Sequence, residues 1–365
     1  NGTFRNEESI SSEGKNRASL SNQSDFSWTL DNLIYYDKEF GKHSVGLTLL
    51  QSATGYHYEE SSMAAEGIPL ESAKWNALSK ENVSLLDEWN SGLIEKQLLS
   101  YMFRVNYDYN NKYLLTVSGR WDGASQLAEG NKWAFFPSAA LGWRLDQEEF
   151  LKDVTWLNQL KFRLGVGVTG NSAIDPYQTK GAIVSLYYPF GSALAPGYAA
   201  SEPLIKDGAV AMANKNLSWE KTTQYNIGLD YSVLNGRISG VLDFYTSRTT
   251  DLLMAMTIPS LNGYTNTYAN VGKTSNIGVD ITLNTVNVKT RDFEWSTSIN
   301  AAWQKDKIDE LANGKEDDIN NNWFIGQALG VIYGYECGGL WKEEDAAEMA
   351  KFNAKGHSFQ AGMVR

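Results

Sequence analysis

Thr222–Arg248 reads TTQYNIGLDYSVLNGRISGVLDFYTSR, and its pattern decides the fold. Tyr225, Ile227, Leu229, Tyr231 and Val233 alternate with Gln224, Asn226, Gly228, Asp230 and Ser232. A period of two sends the two sets to opposite faces of a strand. Asn235-Gly236 follows, and both residues accept the positive φ that a type I′ hairpin turn needs. The alternation then resumes, with Ile238, Gly240, Leu242 and Phe244 against Arg237, Ser239, Asp243 and Tyr245. Val241 is the one misfit on the polar side. Each arm has about a dozen residues, where soluble strands run about five or six. A membrane-crossing strand needs roughly nine to eleven. Length and two-faced character predict a transmembrane β-hairpin. The competing reading is a long hairpin in a soluble sandwich with one wet face.

Composition agrees with strands in a membrane. Aromatic residues make up 12% of the 365, which suits strands and membrane interfaces better than a helical bundle. Mean hydropathy is −0.38, and no run of about 18 apolar residues marks a transmembrane helix. A barrel shows no such run, because lipid-facing and lumen-facing residues alternate. A net charge of −11 argues against duplex nucleic acid as a partner, since phosphates call for clustered Lys and Arg. Cys337 is the single cysteine, so no internal disulfide framework is expected.

Taken in order, Asn1–Ser24 is polar and without period, and reads as loop. Asp25–Tyr36 and His43–Tyr58 read as a strand pair around the turn Asp37–Lys42. Glu59–Gln97 reads as a long connection with a helical turn at Val83–Trp89. Leu98–Tyr109 and Tyr113–Asp122 flank Asn110–Lys112. Lys132–Leu145 follows, with a bulge or strand entry expected at Pro137. Asp146–Asn158 reads as a short amphipathic turn and Gln159–Thr169 as a strand. Gly170–Lys221 is a very long connection before the opening hairpin, and Thr249–Ser275 another. Asn276–Val288 and Phe293–Lys307 pair around Lys289–Asp292, with a bulge expected near Val286. Asp309–Arg365 reads as loop with a short helix at Ala346–Phe352.

About ten strands result, and short and long connections alternate, as short periplasmic turns and long extracellular loops do in outer-membrane barrels. Glu59–Gln97 and Gly170–Lys221 are therefore expected outside the cell and Asn235-Gly236 in the periplasm. No charge falls mid-strand on an apolar face, where Arg or Lys costs roughly 2–4 kcal/mol at the bilayer midplane.

Catalytic signatures are weak throughout. Gly165-Val166-Gly167-Val168-Thr169-Gly170 matches GxGxxG, but Pro176 follows where a dinucleotide site needs a helix. The glycines are expected to let a strand end bend. His43, His57 and His357 have no partner at metal spacing, and neither HExxH nor GxSxG occurs. Asp317-Asp318-Ile319-Asn320-Asn321-Asn322 offers oxygen ligands without the glycine and glutamate of a calcium loop, so a solvated loop is expected. Arg104, Asp108, Arg120, Asp122, Arg163, Asp230, Arg237, Asp243 and Asp280 read as a polar lumen wall. No catalytic residue, cofactor or metal site is predicted. The long connections carry Trp75, Trp89, Tyr187, Tyr188, Phe190, Tyr198, Trp219, Tyr264, Tyr268 and Trp323. Such rings stack on sugars, anchor loops to one another, or sit at the membrane interface. As candidate ligand contacts we take Trp75, Trp89, Tyr187, Tyr188, Tyr198, Trp219, Tyr264 and Trp323.

Several strings together carry a resemblance. They are Asn111-Lys112-Tyr113-Leu114-Leu115-Thr116-Val117-Ser118-Gly119-Arg120-Trp121-Asp122-Gly123, Phe135-Phe136-Pro137-Ser138-Ala139-Ala140-Leu141-Gly142-Trp143-Arg144, Gly167-Val168-Thr169-Gly170-Asn171, Trp219-Glu220-Lys221-Thr222-Thr223-Gln224, Asn270-Val271-Gly272-Lys273 and Gly330-Val331-Ile332-Tyr333-Gly334-Tyr335. In order and spacing they resemble the barrel of SusC/RagA-type TonB-dependent outer-membrane receptors of Bacteroidetes. The resemblance implies an all-β, antiparallel barrel of roughly 22 strands around an N-terminal plug. It implies outer-membrane localisation, a SusD-like surface lipoprotein as lid, a glycan or peptide ligand, and import driven through TonB. No plug, TonB box or signal peptide precedes Asn1, and the family's later strands do not follow Arg365. Residues 1–365 are thus expected to be a middle section of the barrel, coupled to the TonB complex through the missing N-terminal part. Two other classes stay open: a soluble carbohydrate-binding or glycoside-hydrolysing β domain, and a structural or adhesin barrel.

Overall fold

The computed structural model describes all residues except 10–13, 77, 79–84, 180–183, 191–192, 200–210, 260–265, 335 and 365; for 85–89, 184–190, 193–199 and 211 it describes the backbone only. The strands are β1 (Gly2–Arg5), β2 (Arg17–Phe40), β3 (His43–Glu66), β4 (Leu85–Tyr109), β5 (Tyr113–Ala124), β6 (Trp133–Arg144), β7 (Leu157–Asn171), β8 (Val184–Phe190), β9 (Ala193–Ala199), β10 (Ala211–Met212), β11 (Glu220–Val233), β12 (Ile238–Thr257), β13 (Asn266–Lys289) and β14 (Glu294–Glu310). Among the described residues one α-helix, α1 (Ala346–Asn353), lies where the sequence places it. From β1 to β7, then β11 to β14, each strand pairs antiparallel with the next in one open sheet. Two-residue β10 joins β13 in parallel, and β8–β9 form a separate hairpin.

Register turns the alternation into two faces. Leu115, Leu141, Leu164, Ile227, Phe244, Val279 and Trp303 are opposed in one row across β5–β7 and β11–β14. A neighbouring row is polar, running Thr48, Arg104, Ser118, Ser138, Gly167, Gln224, Ser247, Asn276 and Asp306. The apolar face is bordered by two belts of rings. At the short-turn end Phe40, His43, Tyr109, Tyr113 and Trp143 lie ring against ring, with centroids 4.9–6.5 Å apart. At the other end Tyr101, Trp121, Trp133 and Phe135 do the same, at 6.2–6.5 Å. Tyr113 and Trp121 mark the two belts on β5; this spacing is about 26 Å along a strand. With the usual tilt the band is about 20 Å tall, close to the apolar belt of outer-membrane barrels. Trp295 and Trp303 repeat the same interval on β14. The polar pair within the band, Asn32 and Gln51, is bonded to itself at 2.7 Å.

Several boundaries differ from the sequence reading. Residues 17–24 are strand, not loop, and the first turn is Gly41-Lys42 rather than Asp37–Lys42. Glu59–Gln97 is mostly strand: β3 runs to Glu66, and β4 starts at Leu85 where a helical turn was expected. Thr249–Ser275 likewise belongs largely to β12 and β13. These extensions lie beyond the outer belt, where water bathes both faces and no apolar alternation is required. Pro137 carries no register shift against β5; it stands one residue past the last β6–β7 pair, Ser138–Gly167. Lacking an N–H, it suits a position where a ladder stops. Gly165 and Gly167 sit in a regular β7 ladder, which continues to Asn171 without a bend. The bulge expected near Val286 is present. Asn235 and Gly236 have φ of 57° and 77°, as a type I′ turn requires.

Rings also lie over glycines on the neighbouring strand. Trp28 faces Gly55, Phe103 Gly119, Trp133 Gly123, Tyr231 Gly240 and Tyr245 Gly278. A Cβ at any of these glycines would collide with its ring. The missing side chain makes the seat for the aromatic one.

Candidate functional site

The polar face carries linked charges. Arg163 on β7 donates from Nε to Asp230 on β11 (2.9 Å) and from Nη2 to Asp243 on β12 (3.1 Å). It reaches both by passing over Gly228, where a Cβ would stand 2.6 Å from its Cζ. Arg120 grips both oxygens of Asp122 (2.7 and 2.9 Å) and donates to Ser100 Oγ at 2.9 Å. These are members of the polar set expected from the sequence. Asp243 Oδ1 is buried without a partner, so that carboxylate relies on Arg163. Arg163→Met should therefore destabilise the folded barrel by about 2 kcal/mol, by leaving two neighbouring carboxylates without their cation. The triple change Arg163→Met, Asp230→Leu and Asp243→Leu should recover most of the loss. Urea unfolding midpoints in detergent measure both.

At the short-turn end, Glu148 accepts from Lys112 Nζ (2.6 Å), Trp143 Nε1 (2.9 Å) and Tyr113 Oη (2.8 Å). The connection 145–151 is thereby held against the inner belt. The hydrogen bond from Lys112, then that from Trp143, keeps the Glu148 carboxyl below the usual glutamate range. A depressed folded-state pKa stabilises above the unfolded value, and that contribution disappears as pH falls through the folded one. Unfolding midpoints should hold from neutrality down to the ordinary glutamate range and then decline. Glu148→Gln should remove that part of the acid dependence.

Beyond the outer belt a small core forms on the polar side from Ala124, Leu127, Phe136, Ile174, Leu217 and Trp219. Trp219 meets Phe136 edge to face at 5.3 Å and donates Nε1–H to Lys132 O at 2.8 Å. Asn270 clamps the same segment: it accepts from Ser218 N (2.9 Å) and donates to Ser218 O (2.8 Å) and Asp251 O (2.9 Å).

The expected ligand contacts are dispersed. Trp219 is only 5% exposed and serves this core. Trp75 packs beside Ala18, Ala65 and Ile68 in a second cluster. Trp89 lies in β4 opposite Met63. Tyr187 and Tyr188 in β8, and Tyr198 in β9, occupy the separate hairpin, where only backbone is described. The Phe190 side chain and Tyr264 lie outside the described residues. Tyr268 packs against the Trp219 core. Trp323 is half-buried and lines a cleft of about 830 Å³ between the outer ends of β12–β13 and the loop 311–323. In that loop Asp317 Oδ1 accepts from Ile325 N (2.7 Å) and Asp318 Oδ1 from Asn321 N (3.2 Å), so both carboxylates brace the backbone. Of the lining amides, Asn320 belongs to the Asp317–Asn322 run read from the sequence as a solvated loop, whereas Asn266 and Asn313 give no signal there.

Comparison with known proteins agrees with this geometry. The family model "TonB dependent receptor-like, beta-barrel" matches residues 1–344. TonB-dependent receptor P3 of Formosa agariphila is 32% identical over 326 residues, which is 86% of this chain and 31% of that receptor. TonB-dependent receptor SusC of Bacteroides thetaiotaomicron is 38% identical over 255 residues, covering 67% of this chain and 24% of that protein. The chain spans about a third or less of the length of these relatives. Among solved structures, the RagAB peptide importer in its open-open state superposes with a TM-score of 0.78 at 25% identity, over 90% of this chain and 35% of that one. The chain belongs to the TonB-dependent receptor β-barrel family, as a stretch of outer-membrane barrel wall of the SusC/RagA type.

Proposed function

We propose that this chain is wall and mouth of an importer that takes up oligosaccharides, with peptides as the second class of cargo. The observation that carries the reading is the two-faced sheet: an apolar band between two aromatic belts outside, and linked charges inside. The likeness to the SusC receptor and to a solved peptide importer supports an import role. Residues 1–365 act as one barrel domain by transport rather than catalysis. The partners are a SusD-like surface lipoprotein at the mouth and the TonB complex, which the rest of the receptor engages. Of the candidate rings we take Trp323, beside its cleft, to meet cargo, and Trp75 and Trp219 to hold loops together.

Deleting the receptor gene should abolish uptake of a labelled oligosaccharide, and complementation should restore it. The receptor drawn from outer membranes should bring a surface lipoprotein with it. Undiminished uptake of both glycans and peptides in the deletion strain would overturn the import reading.

A further inference from the structure

We propose that the cleft between the outer ends of β12–β13 and the loop 311–323 binds an uncharged oligosaccharide segment, stacked on Trp323. This rests on the import reading and narrows it to one site and one class of glycan. Its volume of about 830 Å³ falls within the usual range for ligand pockets.

The loop is braced before any ligand arrives. Asp318 and Trp323 exchange both backbone hydrogen bonds, at 2.8 and 2.9 Å. Asn322 takes φ of 57° to close that turn. Asp318 Oδ2 accepts from Asn321 Nδ2 at 2.8 Å, and Ile325 bridges back to Ile308 on β14. A backbone braced in this way leaves less freedom to lose when Trp323 meets a ligand, which preserves affinity.

The lining divides by chemistry. Leu253 and Ala255 with Trp323 give apolar surface, and Asn266, Asn313 and Asn320 give amides. No hydrogen bond within the protein occupies these three amides among the described residues. An aromatic face beside free planar amides matches a pyranose, which has an apolar C–H face and a rim of hydroxyls. A peptide strand would call for an open sheet edge or paired apolar pockets. Glu316, Asp317 and Asp318 line the same cleft and set its field against anions. Sulfated and uronic glycans are therefore disfavoured.

The test is titration calorimetry on the intact receptor in detergent. The probes are neutral hexasaccharides (maltohexaose, cellohexaose, xylohexaose and mannohexaose), oligogalacturonate and a tryptic casein digest. Variants are Trp323→Ala, Trp323→Phe, Asn320→Ala on an exposed side chain, and Glu316→Gln. At least one neutral hexasaccharide should bind. Trp323→Ala should weaken it roughly tenfold or more, Trp323→Phe much less, and Asn320→Ala by an intermediate factor. Oligogalacturonate should bind worse than the neutral probes and gain from Glu316→Gln. Unchanged affinity in both Trp323→Ala and Asn320→Ala overturns the site while leaving glycan import standing. Binding of casein peptides in place of every hexasaccharide overturns the glycan class, as does failure of all hexasaccharides to bind. Equal binding of oligogalacturonate overturns the charge argument. Loss of the import reading itself would appear in the deletion strain instead.

Discussion

Leu242→Arg should leave little folded receptor in the outer membrane, while Asp280→Asn assembles almost normally. Leu242 stands in the apolar row that joins Phe162, Leu229, Ile281 and Ala301. Ala301 lies between Trp295 and Trp303, so the row crosses the interior of the apolar band. Lipid meets the side chain there, and an arginine near the midplane costs roughly 2–4 kcal/mol. Domains have only about 5–15 kcal/mol of stability to lose. Asp280, one position before Ile281, points to the opposite, polar face beside Asp243, where an amide is tolerated. Quantifying heat-modifiable receptor in outer-membrane fractions decides the matter. Equal amounts for the two variants would show that the faces are assigned the wrong way round.

Trp219→Ala should have an effect as large but in a different place. The ring is almost wholly covered, and truncating a buried Trp or Phe costs about 3–5 kcal/mol. Lys132 O also loses the indole N–H and keeps the bond from Ala124 N. The core it belongs to stands outside the membrane band, so the loss should open the loop 125–132 and the segment 213–219 without dissolving the transmembrane sheet. Trypsin applied to intact cells should then cut after Lys132 or Lys215 in the variant and spare the wild type. Trp219→Phe should keep most of the packing and give up the hydrogen bond, at about 1 kcal/mol. Resistance of Trp219→Ala to trypsin would refute the structural role given to this residue.

What the sequence made legible follows from what lipid enforces. Between the belts each strand must be apolar on one side, so the hairpins around Lys112, Asn235-Gly236 and Arg291 stand out and match the observed register. Outside the belts nothing imposes alternation, and residues 17–24, 59–66, 249–257 and 266–275 look like loop although they are paired strand. Leu234, at φ of 55°, donates its N–H to Trp156 O, a long-range tie that no local pattern announces. For the site, the sequence offers aromatic residues in long connections, but their roles depend on contacts distant in sequence. Trp219 looks as available as Trp323 until Phe136 and Lys132 close over it.

The rings seated on glycines bear on how such a sheet finds its correct alignment. Hydropathy works as a one-bit parity check: a slip of one residue reverses every face and is rejected, but a slip of two passes unnoticed. The glycine seats supply the bits that parity lacks. Shifted by two, Trp28 would be set over Ala53 or His57, Phe103 over Val117 or Trp121, Tyr231 over Ile238 or Leu242, and Tyr245 over Asn276 or Asp280. Each wrong frame would replace an empty seat with an occupied one. Five such pairs, spread over separate strand junctions, act as a checksum written across the barrel wall. A chain assembling strand by strand can thus detect a misalignment at the junction where it occurs, before later strands are committed to it.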